Sequence, residues 1–159
     1  MARSTGPSCI ARTTLHLVGP HSWTSVPAAL VYDSADPYAV RVRFGDAAHG
    51  DGTSDRPDPD DDGGVEWLLS RELLRTGLSI PAGDGDVRIW PTRAAPDVLF
   101  LQLRAPSGEA LFELSAAVVG DFLRETERLV PAGQESGLLQ VDDELSALLQ
   151  GGGPDPSTP

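Results

Sequence analysis

The stretch Ala39-Val-Arg-Val-Arg-Phe44 decides the fold, because apolar and charged residues alternate along it with a period of two. Successive side chains of a β-strand point to opposite faces, so the apolar residues share one face and the two arginines share the other. The stretch therefore predicts a strand with one buried face and one solvated face.

Similar alternation on both sides of this stretch, divided by Gly, Pro and Asp, predicts six further strands. They are Ile10–Val18, Ser25–Tyr32, Val65–Leu69, Asp86–Trp90, Val98–Leu103 and Ala110–Leu114. Between the fourth and fifth strands, Ser70 and Arg71 begin a short helix with a stripe of leucines, which ends near Gly77 and Pro81. We expect this helix to cover an open end of the sheet.

The hydrophobic period changes after residue 114. Apolar residues at helical spacing predict an amphipathic helix from about Ser115 to Pro131, and a second helix from Asp142 to Leu149. The sequence therefore predicts an α+β fold. We expect an antiparallel β-barrel-like or sandwich domain of about seven strands, with a short inserted helix and C-terminal helices.

The formal net charge of −12 is unevenly distributed along the 159 residues. Residues 46–64 hold seven aspartates against one arginine, which is half of the net charge, and almost nothing that could be buried. We expect this acidic insert to be disordered and residues 151–159, GGGPDPSTP, to form a flexible tail. Residues 1–150 are then predicted to form a single domain.

Composition also disfavours several classes of partner and compartment. An acidic chain binds nucleic acid or anionic lipid against its own electrostatic field. Cys9 is the only cysteine, which excludes an intramolecular disulfide. No run approaches about 18 consecutive apolar residues, the length of a membrane-spanning helix. We expect a cytoplasmic protein with no membrane insertion.

No motif in the chain predicts a metal site. The run Asp58–Gly63 resembles the opening of a calcium loop, but Leu69 stands where the loop requires an acid. The three histidines, His16, His21 and His49, are too scattered for a metal-binding cage.

Motifs for catalysis are missing as well. The chain has no G-x-S-x-G nucleophile elbow. Gly83 and Gly85 precede a strand, whereas a phosphate-binding loop continues with Gly-Lys and a helix. We predict a non-enzymatic protein without catalytic residues or a cofactor.

Four stretches together resemble one protein family. They are YDSADPYAV at 32–40, VEWLLSRELL at 65–74, GDVRIWP at 85–91 and PSGEALFE at 106–113. They are similar to the SsgA-like proteins, the sporulation and cell-division regulators of actinomycetes, and the similarity covers most of residues 10–150. Many of these residues also suit turns or the core, and we expect Trp67 and Trp90 to anchor the core.

The resemblance implies a fold similar to the trimeric Whirly single-strand binders and a non-enzymatic role at the division septum. Family members localise or stimulate the septation machinery, either the tubulin-like GTPase FtsZ or the enzymes of septal peptidoglycan synthesis. Two departures from the family pattern leave the branch open, the long acidic insert and the sequence Glu113-Leu114-Ser115. Division proteins or other SsgA-like proteins are the implied partners, with a homotrimer as the implied assembly.

Two helical segments combine charged residues with leucine-rich stripes, as protein interfaces do. The predicted partner-binding residues are Arg71, Glu72, Arg75, Arg124, Glu125 and Arg128. The alternative function is Whirly-like binding of single-stranded nucleic acid. It would need a cationic groove, for which the candidate strand residues are Arg41, Arg43, Arg88 and Arg104.

Overall fold

A computed structural model describes residues 6–45, 65–136 and 148–149 of the chain. The described residues include seven strands and two complete helices, and residues 135–136 and 148–149 are also helical. The strands are β1 (Ser8–Val18), β2 (Trp23–Asp33), β3 (Ala39–Phe44), β4 (Glu66–Ser70), β5 (Val87–Pro91), β6 (Val98–Ala105) and β7 (Gly108–Ser115). The helices are α1 (Arg71–Gly77) and α2 (Ala116–Leu129).

All seven strands belong to one antiparallel sheet with the order β4-β3-β2-β1-β7-β6-β5. The sheet curls into a nearly closed barrel. Phe44 of β3 stacks on Phe112 of β7 with ring centroids 5.0 Å apart, although two strands separate β3 from β7 in the sheet. A flat sheet would hold strands three positions apart at about 14 Å, so the stack requires strong curvature.

The core lies inside this curled sheet, on the face to which Val40, Val42 and Phe44 point. Helix α1 packs between the edge strands β4 and β5. Gly77 approaches β5 so closely that a Cβ atom on it would lie 2.2 Å from Cγ2 of Ile89. The helix therefore covers the open side of the barrel, as its leucine stripe predicts.

Helix α2 begins where β7 ends. The hydroxyl of Ser115 accepts a hydrogen bond from the backbone N–H of Val118, and the carboxylate of Asp97 accepts one from the N–H of Ala117 at 2.8 Å. These two acceptors satisfy donors that the first turn of a helix leaves unpaired. Phe122 and Leu123 are buried, and the helix packs against β1.

The predicted α+β fold is confirmed, and each of the seven predicted strands is present with ends shifted by at most two residues. The prediction for Trp90 is wrong. Ile89 points into the core, so Trp90 points to the outer face, where it contacts Phe100. Trp67 is half-buried and does pack against the core. The predicted acidic insert, the C-terminal tail and residues 142–147 of the second predicted helix lie outside the described residues.

Candidate interaction surface on helices α1 and α2

Arg71, the first residue of α1, is one of the most deeply buried side chains of the described structure, with 1% exposure. Its Nη1 donates to the carbonyl oxygens of Thr126 at 3.3 Å and Val130 at 2.7 Å, at the C-terminal end of α2. Helix C-termini carry unpaired carbonyls and partial negative charge, which a guanidinium satisfies well. Arg71 therefore joins the start of α1 to the end of α2.

Two further groups hold the guanidinium in place. Its Nη2 donates to Oε1 of Glu135 in a close ion pair, and its Cζ lies 5.1 Å from the ring centroid of Tyr32. The Tyr32 hydroxyl in turn donates to the carbonyl of Pro37 at 3.1 Å. Charge and hydrogen bonds are thus supplied together, which a buried cation requires.

The same arrangement moves two pKa values in opposite directions. The hydrogen bond from Arg71 lowers the pKa of Glu135, because it stabilises the carboxylate form. Burial raises the pKa of the Tyr32 phenol, because a phenolate would be poorly solvated there.

The prediction of an exposed charge at position 71 is therefore wrong. Helix α1 begins directly after β4, and the backbone N–H of Arg71 donates to the carbonyl of Tyr38 at 2.8 Å. The side chain of Arg71 points inward from this position. Sequence periodicity did not single out Glu135. Its signal is its position just after the Pro131–Gly133 helix stop, where the chain folds back toward α1.

The remaining predicted residues lie on the outside of the two helices. Glu72 is exposed, and Arg75 is partly buried between Glu72 on its own helix and Glu127 of α2. The Arg75 Nε lies 3.1 Å from the Glu127 Oε1. The structure thus links the predicted residue Arg75 of α1 to α2 by an ion pair with Glu127, which is not among the predicted residues.

Arg124, Glu125 and Arg128 extend this surface along α2. Arg124 pairs with Asp121, and the Arg128 Nη1 lies 2.7 Å from Oε1 of Glu125. Each pair spans three residues of the same helix, so the side chains are ordered without leaving the solvent. We call the side chains of Glu72, Arg75, Arg124, Glu125 and Arg128 the helical surface; all but the partly buried Arg75 are exposed.

A groove of about 450 Å³ separates the helical surface from the start of β1. Ile10 and Ala11 line one side, and Phe122, Arg124 and Arg128 line the other. Strand β7 pairs with β1 only at His16 and Leu17, so the first half of β1 has no strand neighbour on this side within the described residues. Cys9 also lines the groove, and burial raises the pKa of its thiol.

The helical surface and the groove combine ion pairs with nearby apolar side chains. Their charged groups are already engaged in ion pairs, and no group of three or more metal-ligating side chains occurs within residues 6–45, 65–136 and 148–149. Fixed charges beside half-buried apolar side chains are typical of a protein-binding surface.

Within the same described ranges, no helix is long and apolar enough to cross a membrane.

Comparison with known proteins identifies the family. The family model described as Streptomyces sporulation and cell division protein, SsgA, matches residues 26–135. The sporulation-specific cell division protein SsgB of Streptomyces coelicolor is 41% identical, over 85% of this chain and 92% of that protein. SsgB of Salinispora tropica is 44% identical, over 87% of this chain and 91% of that protein.

Solved structures of SsgB and SsgA-like proteins support the same family assignment. An SsgB structure, from work relating SsgB mutations to longitudinal cell division during sporulation of Streptomyces coelicolor, matches with a TM-score of 0.69 and 37% identity. It covers 86% of this chain and 98% of its own. The SsgA-like sporulation-specific cell division protein of Thermobifida fusca matches with a TM-score of 0.72 and 35% identity, over 91% of this chain and 98% of its own.

The relatives are named for sporulation and cell division rather than for an enzyme activity, which supports a role in division and sporulation for this protein. The similarity also confirms the resemblance that the four sequence stretches indicate. The chain belongs to the SsgA family of sporulation and cell division proteins.

Proposed function

We propose that this protein is a non-enzymatic adaptor that localises or stimulates the septation machinery, either FtsZ or the enzymes of septal peptidoglycan synthesis. The observation that carries the proposal is the helical surface, which is exposed and charged and is attached to the core through buried Arg71. A rigid surface loses little conformational entropy when it binds, which favours a specific partner.

Binding to single-stranded nucleic acid has weaker support. Arg43 and Arg41 both lie within 4 Å of Glu66, and Arg104 pairs with Glu109. These arginines form two groups, on β3 and on β6, which are separated in the sheet by β2, β1 and β7, whereas a single-strand binder needs a continuous cationic groove. The likeness to Whirly proteins remains a prediction about the fold.

The proposal includes an assembly and a location. A single domain spanning residues 1–150, with a tail at 151–159, acts as a homotrimer in the cytoplasm at the division septum. Light scattering on the purified chain tests the assembly, since a trimer has three times the 16.8 kDa mass of one chain. Fluorescence microscopy of the tagged protein in sporulating cells tests the location.

Direct binding to purified FtsZ tests the adaptor role. We expect the double variant Arg124→Glu with Arg128→Glu to bind FtsZ at least about tenfold more weakly, because it reverses two exposed charges of the helical surface. The matched control is Arg88→Glu with Arg93→Glu, which reverses two exposed charges near β5. Far-ultraviolet circular dichroism checks that both variants fold.

Proximity labelling in sporulating cells covers the other septal partners. Absence of FtsZ binding, together with the absence of septal proteins among the labelled products, would overturn the adaptor proposal. Saturable binding of single-stranded oligonucleotides, steeply weakened by salt, would favour the nucleic-acid alternative.

A further inference from the structure

The outer face of strands β1–β4 carries a second surface, which meets the groove beside the helical surface at Ile10. The strand register places outward-pointing residues in two adjacent rows across the four strands. One row is Glu66, Arg43, Ala29 and Arg12; the other is Leu68, Arg41, Val31 and Ile10. We call these eight residues the arginine face.

Exposed apolar side chains border the arginine face. Leu68 is 60% exposed at one side and Ile10 is 57% exposed at the other. Single exposed apolar residues need no explanation, but here they flank arginines in a regular arrangement. Neighbouring strands are about 4.8 Å apart, so side chains in one row are within reach of a single bound segment.

Charge distinguishes this face from the rest of an acidic protein. It holds three arginines and one carboxylate, while the whole chain carries a net charge of −12. The single carboxylate, Glu66, lies 3.0 Å from the Arg43 Nε and 3.9 Å from the Arg41 Nε. Arg12 is exposed and makes no ion pair with any described residue.

The next carboxylate along the sheet does not neutralise the face. Asp33 lies one row beyond it, and its Oδ1 accepts a hydrogen bond from the backbone N–H of Ala35 at 2.9 Å. Even with Asp33 included, three arginines stand against two carboxylates, so the net charge of the face stays positive. A ligand at the arginine face therefore meets a locally positive surface in spite of the negative total.

We propose that the arginine face binds an acidic segment of a partner protein that also carries aliphatic side chains. Carboxylates of the segment would pair with Arg12, Arg41 and Arg43, and its aliphatic groups would cover Leu68 and Ile10. The face has no aromatic residue on which a base could stack, which favours a polypeptide over single-stranded nucleic acid. This inference extends the proposed function and rests on it, because the adaptor role supplies the class of partner.

A defined probe tests the proposal without knowledge of the natural partner. The probe is a fluorescein-labelled peptide of repeated Leu-Asp-Glu-Leu units, and the control peptide has Asn and Gln in place of Asp and Glu. Fluorescence anisotropy at moderate salt should show saturable binding of the acidic peptide only. Binding should weaken as salt rises, because exposed charges are screened.

Variants of the full chain locate the binding. We expect the double variant Arg41→Glu with Arg43→Glu to raise the Kd of the acidic peptide at least about tenfold. The single variant Leu68→Ser should raise it about threefold. The control Arg88→Glu with Arg93→Glu should leave the Kd unchanged. The Leu68→Ser variant keeps every charge, so it also tests whether the apolar contact contributes.

Several outcomes would overturn the proposal. These are no saturable binding of the acidic peptide, equal binding by all variants, or binding of single-stranded oligonucleotide in its place. Loss of self-association in the Arg41→Glu, Arg43→Glu variant would assign the face to contacts between copies of this chain. FtsZ binding without peptide binding defeats this inference and leaves the adaptor proposal standing. Peptide binding, with neither FtsZ binding nor septal proteins among the labelled products, defeats only the adaptor proposal.

Discussion

The buried guanidinium of Arg71 connects parts of the chain that are far apart in sequence. The acceptors of its side-chain hydrogen bonds lie 55 to 64 residues away, in α2 and the segment after it. Local periodicity contains no record of such distant contacts, so the sequence predicts an ordinary charged residue at a helix start. Only the assembled fold shows that the side chain completes the C-terminus of α2.

Removing this side chain should be costly. We expect Arg71→Ala to lower the free energy of unfolding by about 3–5 kcal/mol, because Glu135 and the carbonyl of Val130 would lose their buried partner. Urea denaturation followed by circular dichroism measures the change. The control Arg88→Ala, at an exposed position, should change stability by less than about 0.5 kcal/mol. Equal effects of the two substitutions would contradict the structural role of Arg71.

Glu135 should make stability depend on acid pH. Its folded-state pKa is lowered, so its contribution is fully present above the unfolded-state pKa of about 4.3 and is lost as pH falls through the folded-state value. We expect Glu135→Gln to be less stable than the wild type at pH about 7, and the difference to shrink below pH about 4. Thermal melts across this pH range test the prediction, which a constant difference would refute.

At the scale of elements, alternation within short stretches was sufficient to predict each strand. The residues of β3 carry the clearest pattern, and its predicted and observed ends coincide. Helix α1 packs closely on β5 because Gly77 has no side chain and leaves room for the side chain of Ile89. No periodicity in the sequence encodes that contact. The outward position of Trp90, in contrast, follows from the alternation along β5, because Trp90 shares a face with exposed Arg88 and not with buried Ile89.

Two helical glycines should respond oppositely to the same substitution. Alanine normally stabilises a helix relative to glycine by about 1 kcal/mol. At Gly77 a Cβ would meet three atoms of buried Ile89 within 3.1 Å, so we expect Gly77→Ala to destabilise by about 1–3 kcal/mol. At Gly120 in α2 no atom lies within 4 Å of that position, so Gly120→Ala should stabilise by about 0.5–1 kcal/mol. Chemical denaturation measures the change in the free energy of unfolding for both variants. Changes of the same sign would show that α1 is not packed tightly against β5.

At the scale of the whole molecule, the sequence predicts one acidic domain. The structure shows that the balance of positive and negative residues differs from one surface to another. The arginine face is locally positive, and the helical surface carries ion pairs of both signs. Half of the net charge of −12 belongs to residues 46–64, which follow Gly45 and precede Val65. These residues are therefore attached at one end of the arginine face, next to Arg43 and Glu66.

Shortening this connection should change stability and binding together. The backbone N–H of Phe44 donates to the carbonyl of Val65 at 2.9 Å, the pairing that encloses a two-residue hairpin turn. We expect replacement of residues 45–64 by Asn-Gly to stabilise the protein by about 1–2 kcal/mol, because a shorter loop costs less entropy to close. The replacement also removes seven aspartates and one arginine, a net charge of −6, so the acidic peptide should bind at least about threefold more tightly at low salt. Higher stability with unchanged peptide affinity would show that the charge of residues 46–64 does not act on the arginine face.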